Sequence, residues 1–139
     1  MGSPAPLILV SNRGPVTFAR RPDGELERQR GGGGLVTALM GLTEHSPALW
    51  ISAAISDGDE EVAGRAGGGS FELPGLGADT RGRFVTIDHA TYHAYYNVVA
   101  NPMLWFIQHY LWDLSNAPDI RQEETDAFDF GYQAVNRDL

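Results

Sequence analysis

A chain of 139 residues with 42% hydrophobic and 10% aromatic content is one domain's worth of globular protein, and that composition excludes general disorder. It has no cysteine, which excludes a disulfide framework and a thiolate metal site and fits a cytoplasmic protein. A net charge of −8, from 18 acids against 10 bases, argues against nonspecific nucleic-acid binding; no apolar run approaches the roughly 20 residues that span a bilayer, and no charged-then-apolar leader opens the chain.

All ten bases are arginine, so a P-loop lysine, a Schiff base and a lysine general base are impossible in this chain. Five of them (Arg13, Arg20, Arg21, Arg28, Arg30) lie before the end of the glycine run, which makes positive charge local to the opening stretch.

Leu7-Ile8-Leu9-Val10 reads as a buried strand, and Ser11-Asn12-Arg13-Gly14-Pro15 as a polar turn behind it. Val16 to Ala19 and Glu25 to Gln29 flank Arg20-Arg21-Pro22-Asp23-Gly24, an Asp-Gly turn that predicts a β-hairpin. Its arginines read either as a solvated face or as a ligand clamp. Gly31 to Gly34 then run into a helix from about Gly34 to Glu44, with Leu35, Leu39 and Leu42 on one face. Strand, polar turn, glycine run and helix is the order of parts that holds a phosphate at a helix N-terminus: glycines admit the ligand, and the first N–H groups are unpaired. A sheet edge followed by a loose loop is the other reading of the same pattern.

Leu49 to Ile55 is the second strand. Ser56-Asp57-Gly58-Asp59-Glu60-Glu61 supplies a cap and first-turn acids for a short helix to about Ala66; its charges lack the glycine and glutamate spacing of a calcium loop. Phe71 to Leu73 and Arg83 to Ile87 are further strands. Strands alternating with helices predict an α/β fold with a largely parallel sheet.

Asp88 is an N-cap for a helix over His89 to Val99, and Asn101-Pro102 is a second start signal. In the helix expected after it, Met103, Phe106, Ile107, Tyr110 and Leu111 form a core-facing stripe. Trp105, Gln108, His109 and Trp112 form a second stripe, either partly buried packing or a pocket wall. His89 and His93 are spaced i, i+4 with no third ligand nearby, so no metal site is expected. The last helix, Glu123 to Leu139, places Phe128, Tyr132, Val135 and Leu139 on one face and stops mid-pattern, which suggests a truncated chain. An uncovered sheet edge and tail face would favour self-association by exchange of the tail.

Val10-Ser11-Asn12-Arg13, then Gly33-Gly34-Leu35, then Tyr95-Tyr96-Asn97 with Asn101-x-x-Leu104-Trp105 and His109-Tyr110, occur here in one order. In that order the chain resembles the N-terminal end of the trehalose-6-phosphate synthase family, from Leu7 through Gly131-Tyr132-x-x-Val135-Asn136. The resemblance implies a Rossmann-like three-layer domain, the first part of the N-terminal domain of a GT-B fold, with the β-hairpin inserted after the first strand. Residues 1–139 would then be a partial acceptor-side domain, with the donor-binding domain and the catalytic residues absent from the chain. It further implies transfer of glucose, with retention, from a nucleotide sugar such as UDP-glucose or GDP-glucose to glucose 6-phosphate, and no cofactor. By the same resemblance Arg13, Tyr96 and Trp105 match acceptor-binding positions, and Gly33 and Gly34 match glycines beside the donor's phosphates. The family's Trp-x-Gly-Trp-Ser-Gly stretch is Trp50-Ile51-Ser52-Ala53-Ala54-Ile55 here. Ala53 in place of the second tryptophan motivates two alternatives: a different sugar-phosphate or pseudo-sugar acceptor, or a binding module without turnover.

Overall fold

The computed structural model describes residues 6–77, 79–111, 115 and 119–139. These form two compact units, Met1–Thr86 with Leu139, and Ile87–Asp138.

The first unit is an α/β layer. Strands β1 (Leu7–Ser11), β4 (Ala48–Ala53), β6 (Thr80–Val85) and β5 (Phe71–Glu72) make one sheet in the order β1-β4-β6-β5. The three longer strands are parallel, as the alternation of strands and helices predicts, while β5 turns back antiparallel onto β6. Register sets Leu9 beside Trp50 and Trp50 beside Gly82. On that face Leu9 and Trp50 pack with Val36 of helix α1 (Gly34–Thr43). Farther along, Phe84 and Ala54 pack with Ala63 of α2 (Asp57–Arg65). Phe18, Phe71 and Phe84 join that second cluster ring to ring, with centroids 5.0 to 6.1 Å apart. Gly82 makes room for it, since a Cβ there would lie 2.7 Å from the Phe71 ring. Although the run of β1 is wholly apolar, only one side of it is covered: Leu9 is 6% exposed, Ile8 61% and Val10 50%.

Strands β2 (Val16–Arg20) and β3 (Leu26–Arg30) form the expected hairpin as a separate two-stranded sheet. Its turn closes through Gly24, whose φ of 89° suits only glycine and whose N–H donates to the Arg21 carbonyl.

The second unit is a pair of helices. Helix α3 begins as an α-helix over His89–His93, capped by Asp88, whose carboxyl accepts the Thr91 N–H at 3.0 Å. It continues in i→i+5 turns over Ala94–Leu104 and ends with α-helical Trp105–Gln108. The second start predicted at Asn101-Pro102 is therefore absent, and Pro102 lies inside the helix. The wider turns give the proline ring room that an α-helix interior denies it. That change of period also breaks the predicted stripe. Met103 is buried, but Ile107 is 49% and Tyr110 91% exposed, and the helix has ended before Tyr110 and Leu111. Trp112, of the second stripe, lies outside the described residues.

Helix α4 comprises Gln122–Asp126, i→i+5 turns over Ala127–Tyr132, and Gln133–Asp138. It meets α3 at Gly131, where a Cβ would lie 2.6 Å from that of Ala94. The core of this unit is Ala94, Val99, Met103 and Ala127. On the predicted tail face Val135 is wholly buried, Tyr132 half-buried and Phe128 39% exposed.

Candidate functional site

In the first unit the carboxyl ends of β1, β4 and β6 finish level, with Ser11 beside Ser52 and Ala53 beside Val85. Open α/β sheets take ligands at that edge. The turn after β1 is held there by its neighbours. Ser11 Oγ accepts the Trp50 indole N–H at 2.8 Å and donates to the Arg13 carbonyl at 2.7 Å. The Asn12 carbonyl accepts the Ala53 N–H at 3.3 Å. Gly14 lies so close to β4 that a Cβ would fall 2.5 Å from Ser52 Oγ. Arg13 is thus an exposed side chain on a fixed backbone, and its guanidinium is bonded to no described residue.

The glycine run starts from this same turn. Gly31 donates its N–H to the Pro15 carbonyl at 2.8 Å, and a Cβ on it would fall 2.1 Å from the Gly14 carbonyl oxygen. Gly33 is the N-cap of α1 with φ 121°, a conformation open only to glycine, and it supplies no side-chain cap. Gly32, Gly33 and Gly34 face open space, and no acid stands in the first turn of α1. The N–H groups there point outward from an uncapped N-terminus, which favours an anion. Arg13, Gly33 and Gly34 therefore belong to one continuous feature.

The hairpin that joins the two ends of this feature is anchored by Asp59, which is wholly buried. Its carboxyl oxygens accept the Phe18 N–H at 2.7 Å, the Ile55 N–H at 3.1 Å and the Thr17 hydroxyl at 3.0 Å. Ser56 caps α2 by accepting the Asp59 N–H, and donates its hydroxyl to the Phe18 carbonyl. Gly58 lets α2 approach, since a Cβ would fall 2.1 Å from that same carbonyl oxygen. The sequence places Asp59 among the first-turn acids of a helix, where it stands, but does not show that it is buried. The signal that separates it from Asp57 and Glu60 is long-range, through the hairpin, and no local pattern carries it. Glu61 does face solvent: against the upward push of its partial burial, Arg65 and Arg20 hold its carboxyl below the usual range.

In the second unit Tyr96 stacks on Tyr92 with centroids 5.8 Å apart, and both ring Tyr95. Burial, followed by the neighbouring Tyr92, Tyr132 and Tyr96, pushes the Tyr95 phenol above its ordinary value of 10.0. Trp105 is 44% exposed and stacks on His109 at 4.4 Å. Tyr96 and Trp105 are nine positions apart. In an α-helix that is about two and a half turns, which sets them on opposite sides. The i→i+5 turns between them bring the two closer in phase. Among the described residues no group of three or more histidines and acids converges as a metal site, and no helix is long and apolar enough to cross a membrane.

A family model described as glycosyltransferase family 20 matches residues 5–139. The chain is 36% identical over 105 residues to an alpha,alpha-trehalose-phosphate synthase [UDP-forming] 1 of Arabidopsis thaliana, covering 76% of this chain and 10% of that protein. It is 34% identical over 131 residues to a trehalose-6-phosphate synthase of Mycolicibacterium smegmatis, covering 94% of this chain and 22% of the other. Among solved structures, the trehalose-6-phosphate synthase OtsA superposes with a TM-score of 0.60 at 20% identity, over 95% of this chain and 24% of that one. The E. coli enzyme bound with UDP-2-fluoro glucose superposes at 0.55 and 19% identity, over 95% of this chain and 23% of that one. The chain thus spans a tenth to a quarter of the length of these proteins. The structural likeness gives the fold: a Rossmann-like α/β portion of a GT-B N-terminal domain carrying a hairpin insertion.

Proposed function

The chain belongs to glycosyltransferase family 20, and from that premise we propose that it is the acceptor-side part of a trehalose-6-phosphate synthase, which moves glucose from a nucleotide sugar to glucose 6-phosphate with retention. The observation that carries this reading is the uncapped start of α1 at Gly33 and Gly34, tied through Gly31 and Pro15 to the turn that presents Arg13. In this reading the Arg13 guanidinium grips the acceptor phosphate by its fork of N–H donors. Within the second unit, Tyr96 and Trp105 keep the acceptor-binding roles that the family resemblance gives them, the phenol as a hydroxyl donor and the indole as an apolar face for a sugar. The N–H groups at Gly33 and Gly34 approach the donor's phosphates, where leaving-group charge develops. The UDP-forming and UDP-2-fluoro-glucose names among the similar proteins favour a uridine donor over a guanosine one. Free sugar phosphates and nucleotide sugars as substrates accord with a cytoplasmic setting.

Ala53 favours one variation, a different sugar-phosphate acceptor. It is 1% exposed and bonded through its N–H to the Asn12 carbonyl, so the family's indole is replaced by a methyl group directly behind the Arg13 turn. Amide NMR of the chain titrated with UDP-glucose tests the donor half of the proposal. The Gly33, Gly34 and Leu35 signals should move in a saturable way; signals that stay in place at millimolar donor would refute that half.

A further inference from the structure

A pocket in the first unit, about 290 Å³ in volume, is lined by Pro15, Val16, Met40 and Leu76 together with Arg28 and Arg30. The two arginines are two residues apart on β3, so they leave the strand on one face. Arg28 gives one N–H to the Pro74 carbonyl at 2.9 Å, which fixes its guanidinium and leaves its other donors without a partner among the described residues. Among the described residues Arg30 reaches only the Met40 sulfur, at 4.0 Å. A thioether is a weak acceptor and cannot satisfy a guanidinium. Among the described residues no carboxyl group lines this pocket, although the chain as a whole carries −8.

We propose that this pocket binds a small phosphate ester with a compact apolar body, its phosphate held between Arg28 and Arg30 and its body against Met40, Leu76 and Val16. Two guanidinium forks with free donors match a phosphate oxygen set, and the apolar wall gives the body of an ester a contact that a bare, hydrated ion lacks. Pro15 lines the pocket and also accepts the Gly31 N–H, so an occupant touches the root of the glycine run without using Arg13. The proposal stands apart from the transferase reading and does not depend on it.

The test uses phenyl phosphate as probe and the chain labelled at its methionine methyls, read by NMR. Met40 should shift saturably and Met103, in the second unit, should not. Replacing both arginines, Arg28→Gln with Arg30→Gln, should weaken binding at least tenfold, whereas Arg21→Gln at the hairpin tip should leave it unchanged. Phenol, which lacks the phosphate, should leave Met40 unmoved. A Met40 signal indifferent to millimolar phenyl phosphate overturns the proposal without reference to any variant. Equal affinity in the double variant, or binding lost only in Arg13→Ala, overturns it as well.

Discussion

Removing the carboxyl group of Asp59 should loosen the hairpin and unsettle the whole first unit. Asp59→Ala leaves the Phe18 and Ile55 N–H groups and the Thr17 hydroxyl without their acceptor, at a position with no exposure to solvent. A buried donor left unsatisfied costs about 1–3 kcal/mol. The Thr17 hydroxyl can turn to another acceptor, so two backbone donors set the scale, at roughly 2–6 kcal/mol. Against a typical domain stability of about 5–15 kcal/mol that is a large share. Asp59→Asn keeps one acceptor oxygen but points an N–H₂ group at donors, so about half of that loss should follow. Urea unfolding followed by circular dichroism measures both. A shift of less than about 0.5 kcal/mol for Asp59→Ala, within the range of an ordinary surface substitution, would refute the anchor.

Three further outcomes follow from the same structure. Gly31→Ala should destabilise by about 1–3 kcal/mol, because its Cβ meets the Gly14 carbonyl, while Gly32→Ala, with nothing within 4 Å, should stay within about 0.5 kcal/mol; equal urea midpoints would contradict this. Because burial raises the Tyr95 phenol, the unfolded chain loses that proton first, so the contribution is complete below pH 10.0 and is lost as pH climbs through the higher folded value. Tyr95→Phe should therefore lose less stability than wild type between pH 8 and pH 11, and identical losses would count against the assignment. Residues 1–139 alone should release no nucleotide from UDP-glucose with glucose 6-phosphate present, since the transfer proposed above needs donor positioning and these residues span only 24% of the similar OtsA chain; measurable enzyme-dependent release would overturn that.

Local chemistry made much of the architecture legible. The Asp-Gly hairpin, the Ser56 and Asp88 caps and the glycine run opening α1 are all found where their residue types require them. Each rests on contacts within a few residues. What was hidden depends on partners far along the chain. The burial of Asp59 is decided by Thr17 and Phe18, about 40 positions earlier. Two of the four glycines are obligatory for different reasons: Gly31 because a Cβ would meet the Gly14 carbonyl, and Gly33 because of its φ of 121°. Asn101-Pro102 misled because a cap and a proline at the first position are reliable only when an α-helical period follows. The i→i+5 turns absorbed the proline and moved Ile107 and Tyr110 off the core. The order of strand, polar turn, glycine run and helix was readable, but the contacts that hold it were not: the Ser11–Trp50 bond comes from the packing of β1 on β4, and the Gly31–Pro15 bond from the return of the hairpin to the turn.

The role of Arg13 is tested most directly by calorimetric titration of glucose 6-phosphate into the protein at its full encoded length. Charge-assisted bonds of the kind proposed contribute about 1.5–3 kcal/mol, so Arg13→Ala should weaken the sugar phosphate roughly ten- to hundredfold. Arg13→Lys should recover only part of that, because an ammonium lacks the planar fork. Unfolding should barely change, since the exposed guanidinium is bonded to no described residue. Wild type and Arg13→Ala binding glucose 6-phosphate equally would contradict the acceptor site built on this turn.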